Sequence, residues 1–184
     1  MQEWHRDRFR ITTDPAQVDL DVVHGYLTTS YWAWGITRDR VARSIAGAIP
    51  FAMLHDNRQV GFARVISDRA TFAWVADVFI LPGHRDRGLG IWLVESILAH
   101  PDLQGLRRWS LSTRDAHLLY ARFGFTALES PERMMQYRPG GTEAGGPEPR
   151  AAQDATTPGG SSSPDAGTVG ASGSPRHRHL PGDP

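Results

Sequence analysis

Three consecutive apolar segments, joined by very short connections, constrain the fold of this chain most strongly. Segments 50–55, 59–67 and 71–81 are rich in β-branched and aromatic residues, a composition that favours β-strands. The dipeptides at 56–57 and 68–69, Asp-Asn and Asp-Arg, are typical of tight turns. Connections this short join antiparallel neighbours, because a parallel pair needs a crossover of about a dozen residues or more. The sequence therefore predicts an antiparallel meander at the centre of the molecule.

Further elements are predicted before the meander. Residues 9–12 alternate between apolar and polar side chains and predict a first strand. Asp14 followed by Pro15 is typical of a helix start, with Asp as the N-cap and Pro at the first helical position, and this helix should end near Thr28. Thr37 is expected to cap a second helix. Two helices should therefore lie between the first strand and the meander.

The pattern after the meander changes from strands to alternating helices and strands. We expect helices at 88–99 and 115–123, a strand at 109–112, and a closing hairpin formed by 125–128 and 134–137. A strand, a helix and a second strand form a right-handed crossover, so the last meander strand and the strand after the helix should be parallel. The predicted fold class is α/β (α+β), with a mixed, mostly antiparallel central sheet flanked by helices.

Composition divides the chain into two parts. Residues 1–138 have regular apolar patterning, whereas residues 139–184 consist mainly of Gly, Pro, Ala, Ser and Thr. A segment with so little apolar surface cannot offset the entropy lost on ordering. We therefore expect one domain at 1–138 and a disordered tail at 139–184. The alternative for the tail is a weak metal or partner site at His177 and His179.

Charge and hydropathy exclude two classes of partner. The first 138 residues contain 17 arginines and 15 acidic residues, so their net charge is about +2, which is no signature of nucleic-acid binding. No stretch of about 18 apolar residues is present, so no transmembrane span is expected. The first residues are polar and do not resemble a signal peptide. Cytoplasmic localisation is the resulting expectation.

Two amino acids are missing from the sequence, Cys and Lys. Without Cys, there are no disulfides, no Cys-based metal site and no Cys nucleophile. Without Lys, neither a Walker-type phosphate loop nor a lysine Schiff base can form, which argues against a nucleotide hydrolase. No metal site is predicted.

The most specific local pattern lies between the last meander strand and the helix at 88–99, at Arg85, Asp86, Arg87, Gly88, Leu89 and Gly90. Backbone N–H groups at a helix start have no intrahelical partner, and the helix dipole favours an anion there. Glycines let a phosphate approach the backbone closely, and the two arginines add positive charge. A pyrophosphate is the natural ligand. The alternative is a glycine-rich helix start that serves packing alone.

The spacing Arg85-x-x-Gly88-x-Gly90 resembles the signature of the GNAT superfamily of N-acetyltransferases for the CoA pyrophosphate. Segment 76–82 is similar to the family's cofactor strand, and 119–125 is similar to its tyrosine-bearing helix and the turn that follows. The resemblance implies a parallel strand pair splayed at the cofactor site and acetyl-CoA as cosubstrate. It also implies direct transfer of the acetyl group to a primary amine of a small molecule or peptide.

The resemblance also implies how the donor is held. A bulge would leave backbone groups of Val78, Phe79 and Ile80 free to bond pantetheine and the acetyl group, while loop 85–90 holds the pyrophosphate. Members of the family often have Gly where this sequence has Asp86. The Asp86 carboxylate should then face solvent or pair with an arginine.

Two residues are candidates for catalysis. Tyr120 matches the family's tyrosine and is the candidate general acid, with a packing role as the alternative. Asp77 is the candidate base or amine-orienting group, with an ion pair to Arg64 or Arg114 as the alternative. Many members of the family place Glu one residue earlier, where this sequence has Ala76.

The acceptor side should be built by the first helices and by the aromatic loop that contains Tyr31 and Trp32. These rings, together with Asp77, could favour a cationic amine, or the rings could cap the core. The alternative hypothesis, from a different functional class, is a non-catalytic acyl-CoA-binding regulatory module on the same fold. Oligomeric state stays open, a homodimer being one alternative.

Overall fold

A single six-stranded sheet, in the strand order β1-β2-β3-β4-β5-β6, organises the computed structural model, which describes residues 1–137. The strands are β1 (Glu3–Arg6), β2 (Phe9–Thr12), β3 (Ile49–His55), β4 (Arg58–Ser67), β5 (Phe72–Ile80) and β6 (Arg108–Ser110). The four α-helices are α1 (Leu20–Leu27), α2 (Arg38–Ala46), α3 (Leu89–Leu98) and α4 (His117–Ala121). The expected tail at 139–184, with its two histidines, lies outside the described residues. Among residues 1–137, no helix combines the length and apolar character that crossing a membrane requires.

Strand pairing confirms the predicted fold class. Every neighbouring pair is antiparallel except β5 with β6, which is parallel. The parallel register extends only from Phe72 with Arg108 to Trp74 with Ser110. Beyond Trp74, β5 continues to Ile80 without β6 beside it. The two parallel strands therefore diverge, as expected, and open a gap in the sheet.

Apolar clusters cover both faces of the sheet. One cluster packs α3 against the sheet through residues such as Leu93 and Ile97, and the other packs α1 and α2 against Phe62 and Phe79. Burial on both faces explains why β3 is a continuous apolar run rather than an alternating one. Phe79 therefore belongs to the core through its ring, while its backbone lies on the diverging part of β5.

The start of the chain differs from the prediction in two ways. The helix expected from Asp14 to Thr28 is split into a 3₁₀ turn (Pro15–Gln17) and α1. The second N-cap, Asp19, causes the break, because its carboxylate accepts from the N–H groups of the first turn of α1. Strand β1 was not predicted, since Glu3–Arg6 is polar and mostly exposed at the edge of the sheet.

The end of the described chain contradicts one prediction. The hairpin expected at 125–128 and 134–137 is wrong, because neither segment forms a strand. A 3₁₀ turn at Pro131–Arg133 lies between them in place of a hairpin turn, and Met134 N–H donates to the Pro131 carbonyl. Helix α4 is also shorter than expected, with the Thr113 hydroxyl accepting from Ala116 N–H just before it begins.

One buried histidine gives the fold a predictable response to pH. His100 is 5% exposed, and its Nδ1 accepts a hydrogen bond from Asp102 N–H at 3.2 Å, which requires that nitrogen to be unprotonated. Burial lowers the pKa of His100 below its ordinary value of 6.5. The unfolded chain therefore takes up this proton first, and the free energy of unfolding should fall as the pH drops below about 6.5.

We expect the thermal unfolding midpoint to fall between pH 7.5 and pH 5. The variant His100→Asn should reduce this slope, because an amide oxygen can accept the same bond without titrating. Some dependence of the unfolding midpoint on pH should remain in the variant, since burial also lowers the pKa of His84. Thermal unfolding followed by circular dichroism at several pH values is the measurement. An unchanged slope in the variant would exclude His100 as the cause.

Candidate active site

A β-bulge lies where β5 diverges from β6. At this point Ala63 of β4 faces two residues of β5, Asp77 and Val78. Asp77 has φ +55°, a left-handed conformation that is uncommon for a residue other than glycine. Bulges bend a strand and leave a residue out of the ladder, and strained backbone of this kind clusters at functional sites. The bulge that the resemblance implies is therefore present, with Asp77 within it.

Two cavities meet at the bulge. The larger, about 960 Å³, extends along the last part of β5 to Arg85 and Asp86 on one side and to Leu119 of α4 on the other. The smaller, about 490 Å³, extends from the bulge into the gap between β5 and β6. We call them the large groove and the small cleft. Both are lined by Tyr31, Trp32, Val78, Arg114, Asp115 and Ala116.

The predicted phosphate loop begins α3 and opens beside the large groove. Gly88 is the N-cap of α3 with φ +70°, and no side chain caps the first turn. The N–H groups that begin the helix therefore have no side-chain partner and favour an anion. Asp86 has φ +61°, which suits the Gly that family members often carry there, and its side chain is exposed. Arg87 is exposed as well, whereas Leu89 is buried in the core.

Arg85 has a structural role at the start of this loop. Its Nε donates to the Ile80 carbonyl at 3.0 Å, and its Nη2 donates to the Tyr26 hydroxyl at 3.0 Å. The Tyr26 ring in turn stacks on Phe79 with 3.9 Å between centroids. Arg85 therefore ties the loop to β5 and α1, and it occupies a carbonyl group that was expected to face pantetheine.

Gly90 is the part of the loop that the chain's own packing does not explain. It lies in the first turn of α3, has no positive φ, and a Cβ placed on it would meet nothing within 4 Å. Glycine costs about 1 kcal/mol relative to alanine inside a helix. The glycine therefore costs helix stability and leaves open space at the uncapped N–H groups that begin α3. That space fits the close approach of a phosphate.

Sequence reasoning missed one arginine at this loop. A Cβ on Gly88 would lie 3.9 Å from Nη1 of Arg6, so the Arg6 guanidinium is a neighbour of the helix start. Arg6 ends β1, the strand that was not predicted, and no sequence pattern relates it to Gly88. The loop therefore has positive charge from Arg6 as well as from Arg87.

Tyr120 lies on α4, lines the small cleft and is 7% exposed. Within residues 1–137, its hydroxyl group has no hydrogen-bond partner. Burial raises the pKa of Tyr120 to about 12, and the nearby Tyr31 contributes in the same direction. The phenol is therefore protonated throughout the usual pH range and available as a donor in the cleft.

Asp77 has both carboxylate oxygens engaged. Oδ2 accepts from Arg64 Nε at 2.5 Å, and Oδ1 accepts from Trp32 Nε1 at 3.2 Å. The Asp77 side chain is 9% exposed and that of Arg64 is 17% exposed, so this pair is largely shielded from water. The ion pair with Arg64, considered as the alternative role from the sequence, is present. These two bonds hold the Asp77 carboxylate in place and favour its ionised form, although each oxygen keeps a further lone pair.

The aromatic loop forms the wall shared by both cavities. The Tyr31 hydroxyl accepts from Arg114 N–H at 3.0 Å, and the Arg114 guanidinium carbon lies 3.8 Å from the centre of the Tyr31 ring. The Trp32 ring packs edge-on against Tyr31 and is 39% exposed. Both predicted acceptor residues are therefore at the cavities, together with Asp77 and Tyr120.

The chain matches a known family model and known relatives. The model described as an acetyltransferase (GNAT) domain matches residues 47–127. A proposed acetyltransferase of Gibberella zeae is 28% identical over 144 residues, which cover 66% of this chain and 80% of the relative. The crystal structure of a proposed GNAT-family acetyltransferase from Xanthomonas campestris pv. campestris is 46% identical, covering 73% of this chain and 95% of that one, with a TM-score of 0.70.

A more distant structure shares the fold alone. A proposed acetyltransferase from Clostridium acetobutylicum, determined with acetyl-CoA, is 11% identical, covers 71% of this chain and 94% of its own, and has a TM-score of 0.53. The 46% identity to the Xanthomonas structure, over 95% of that chain, shows the family. The chain is a member of the GNAT superfamily of acetyltransferases.

Proposed function

We propose that this protein transfers an acetyl group from acetyl-CoA directly to a primary amine of a small molecule or peptide. The observation that carries this proposal is the arrangement of the large groove. It reaches Arg85 and Asp86, just before the uncapped start of α3, follows the unpaired edge of β5, and meets the cleft that contains Tyr120. A neighbour of the same fold, from Clostridium acetobutylicum, was determined with acetyl-CoA.

The donor would be held at two places. The N–H groups at Gly88, Leu89 and Gly90 would bind the diphosphate, with positive charge supplied by Arg87 and Arg6. The backbone edge at Val78 and Phe79 would bond the pantetheine arm, because β6 does not pair with this part of β5 and the Ile80 carbonyl is held by Arg85. The Asp86 side chain is exposed and can point away from the diphosphate into solvent.

Acetyl-CoA, when bound, supplies an acetyl thioester as the acyl donor. Backbone N–H groups at the bulge, near Val78, would donate to the carbonyl oxygen as negative charge develops on it. The Tyr120 hydroxyl would donate to the departing sulfur. A C–N bond forms, the C–S bond breaks, the amine loses a proton to water, and the sulfur leaves as a thiol. With no cysteine in the sequence, an acyl-cysteine intermediate is excluded.

Asp77 is proposed as an orienting group at this site. Its contacts to Arg64 and Trp32 fix the bulge and the aromatic loop relative to each other. Proton removal from the amine then falls to water in the cleft, since Ala76 supplies no carboxylate at the family's usual position. The same observation favours the second candidate, an acyl-CoA-binding module without catalysis.

A panel of amines separates the two candidates. The protein is incubated with acetyl-CoA and polyamines, amino acids, aminoglycosides or peptides, and the free thiol released is measured. An enzyme should release thiol with at least one class of amine above the rate without amine. Binding of CoA combined with no thiol release from any of them would favour the module.

A further inference from the structure

The small cleft contains a guanidinium group with unused donors. Arg64 lines the cleft opposite Ala76, and only its Nε is bonded, to Asp77. In the described part of the chain, the four N–H bonds on its Nη1 and Nη2 have no acceptor. Neither nitrogen is buried, so both are accessible to solvent. The terminal nitrogens of Arg64 can therefore be reached from the cleft. A largely buried guanidinium fork of this kind matches the geometry of a carboxylate.

Each of the two carboxylates that line the small cleft has an arginine beside it. Asp77 accepts from both Arg64 and Trp32. Oδ2 of Asp115 lies 3.7 Å from Nη2 of Arg114, and the Asp115 side chain is 65% exposed at the rim of the cleft. The other expectation, a cationic acceptor held by the aromatic rings and Asp77, would place that acceptor beside a carboxylate that Arg64 already neutralises. An incoming carboxylate meets donors in this cleft, whereas an extra positive charge meets no unpaired carboxylate inside it.

Part of the wall of the small cleft is apolar or aromatic. Trp74, Val75 and Tyr31 line the same cleft as Arg64. Ala76 lies opposite Arg64, and Val78 follows on the other side of Asp77 at the bulge. A carboxylate at Arg64 and an amine near Val78 would therefore both lie in the small cleft.

We propose that the acceptor is an amino acid with an apolar side chain, whose carboxylate pairs with the free face of the Arg64 guanidinium. This inference rests on the proposed acetyl transfer and names its substrate class. The Trp74 and Tyr31 rings would contact the apolar side chain of the acceptor. The neutral amine would then lie at the bulge beside Tyr120.

The test compares each amino acid with its own amide and with the matching amine that lacks the carboxylate. Leucine, methionine, phenylalanine and tryptophan are suitable, and kcat/KM is measured by thiol release. The natural protein should prefer the acid to the amide by about 10- to 100-fold, the range expected for a charged hydrogen-bonded pair. Equal or greater kcat/KM for the amides would overturn the proposal.

A double variant assigns the preference to Arg64. Arg64→Gln combined with Asp77→Asn removes both charges together, so that no buried charge is left unpaired. The single variant Asp77→Asn is the matched control, because it keeps the guanidinium. The ratio of acid to amide should fall to within about threefold in the double variant and stay high in the control. A ratio that survives in the double variant would contradict the proposal.

Binding distinguishes failure of this inference from failure of the proposed function. Calorimetry with CoA present compares an N-acetylamino acid with its N-acetyl amide, and this comparison needs no turnover. Tighter binding of the acid that is lost in the double variant would support the site even if no amine were acetylated. Equal binding of acid and amide would overturn the site whether or not the protein is an enzyme.

Discussion

The variant Tyr120→Phe should lower kcat for acetyl transfer by about 10²- to 10⁴-fold, the usual contribution of a positioned acid. It should change the affinity for CoA by less than about twofold, because the role proposed for the removed hydroxyl is donation to the departing sulfur and not anchoring of the donor. Folding should be unaffected, since this hydroxyl makes no hydrogen bond within residues 1–137. Steady-state kinetics and calorimetry with CoA are the two measurements.

The control for this variant is Tyr137→Phe, which removes a hydroxyl from a side chain that is 87% exposed and is not among the cavity-lining residues. It should retain the natural kcat. Burial raises the pKa of Tyr120 to about 12, so the phenol stays protonated up to pH 10. The kcat of the natural protein should therefore show no loss from ionisation of Tyr120 in that range. Equal kcat in Tyr120→Phe and the natural protein would remove the acid role.

The second large effect is expected at Gly90, where stability and binding should change in opposite directions. Gly90→Ala should raise the free energy of unfolding by up to about 1 kcal/mol, the value for a helix interior, because alanine favours the helix and its Cβ meets nothing within 4 Å. The same methyl group would occupy space needed by the diphosphate and should weaken CoA binding. Gly90→Glu should weaken it by about 100-fold or more, since a carboxylate about 4 Å from a phosphate repels it strongly.

Two further variants separate the causes of that loss. Gly90→Gln has the size of the glutamate without its charge, so the difference between the two measures the electrostatic part. Gly83→Ala is the matched control outside the loop, because a Cβ there also meets nothing within 4 Å. It should leave CoA binding unchanged. Tight CoA binding by Gly90→Glu would show that the start of α3 does not hold the diphosphate.

Much of the fold follows from local sequence signals. The meander, the crossover through α3 and the parallel β5–β6 pair were predicted and confirmed, because long apolar segments and short turns leave few alternatives. β1 and the hairpin at 125–137 were not predicted correctly, since edge strands and short terminal segments depend on tertiary contacts more than on pattern. The position of Arg6 beside Gly88 depends on β1 and could not be predicted without it.

The candidate site was predictable as a set of residues but not as a set of contacts. Asp77, Tyr120, Tyr31 and Trp32 all line the small cleft. The choice between an unpaired Asp77 and one paired with Arg64 depends on the bulge, because one extra residue changes the face on which a side chain lies. Alternation alone could not decide it. The sequence alone also does not predict that the terminal N–H groups of Arg64 are free. That depends on the bulge, which places the Asp77 carboxylate against the Nε of Arg64.

The most direct measurement of the central claim is a pair of calorimetric titrations of the folded protein, one with CoA and one with pantetheine, which lacks the diphosphate. If the amides that begin α3 hold the diphosphate, CoA should bind with a measurable heat and pantetheine at least about tenfold more weakly. Absence of heat with CoA, or equal affinity for the two compounds, would show that the amides that begin α3 do not hold the diphosphate.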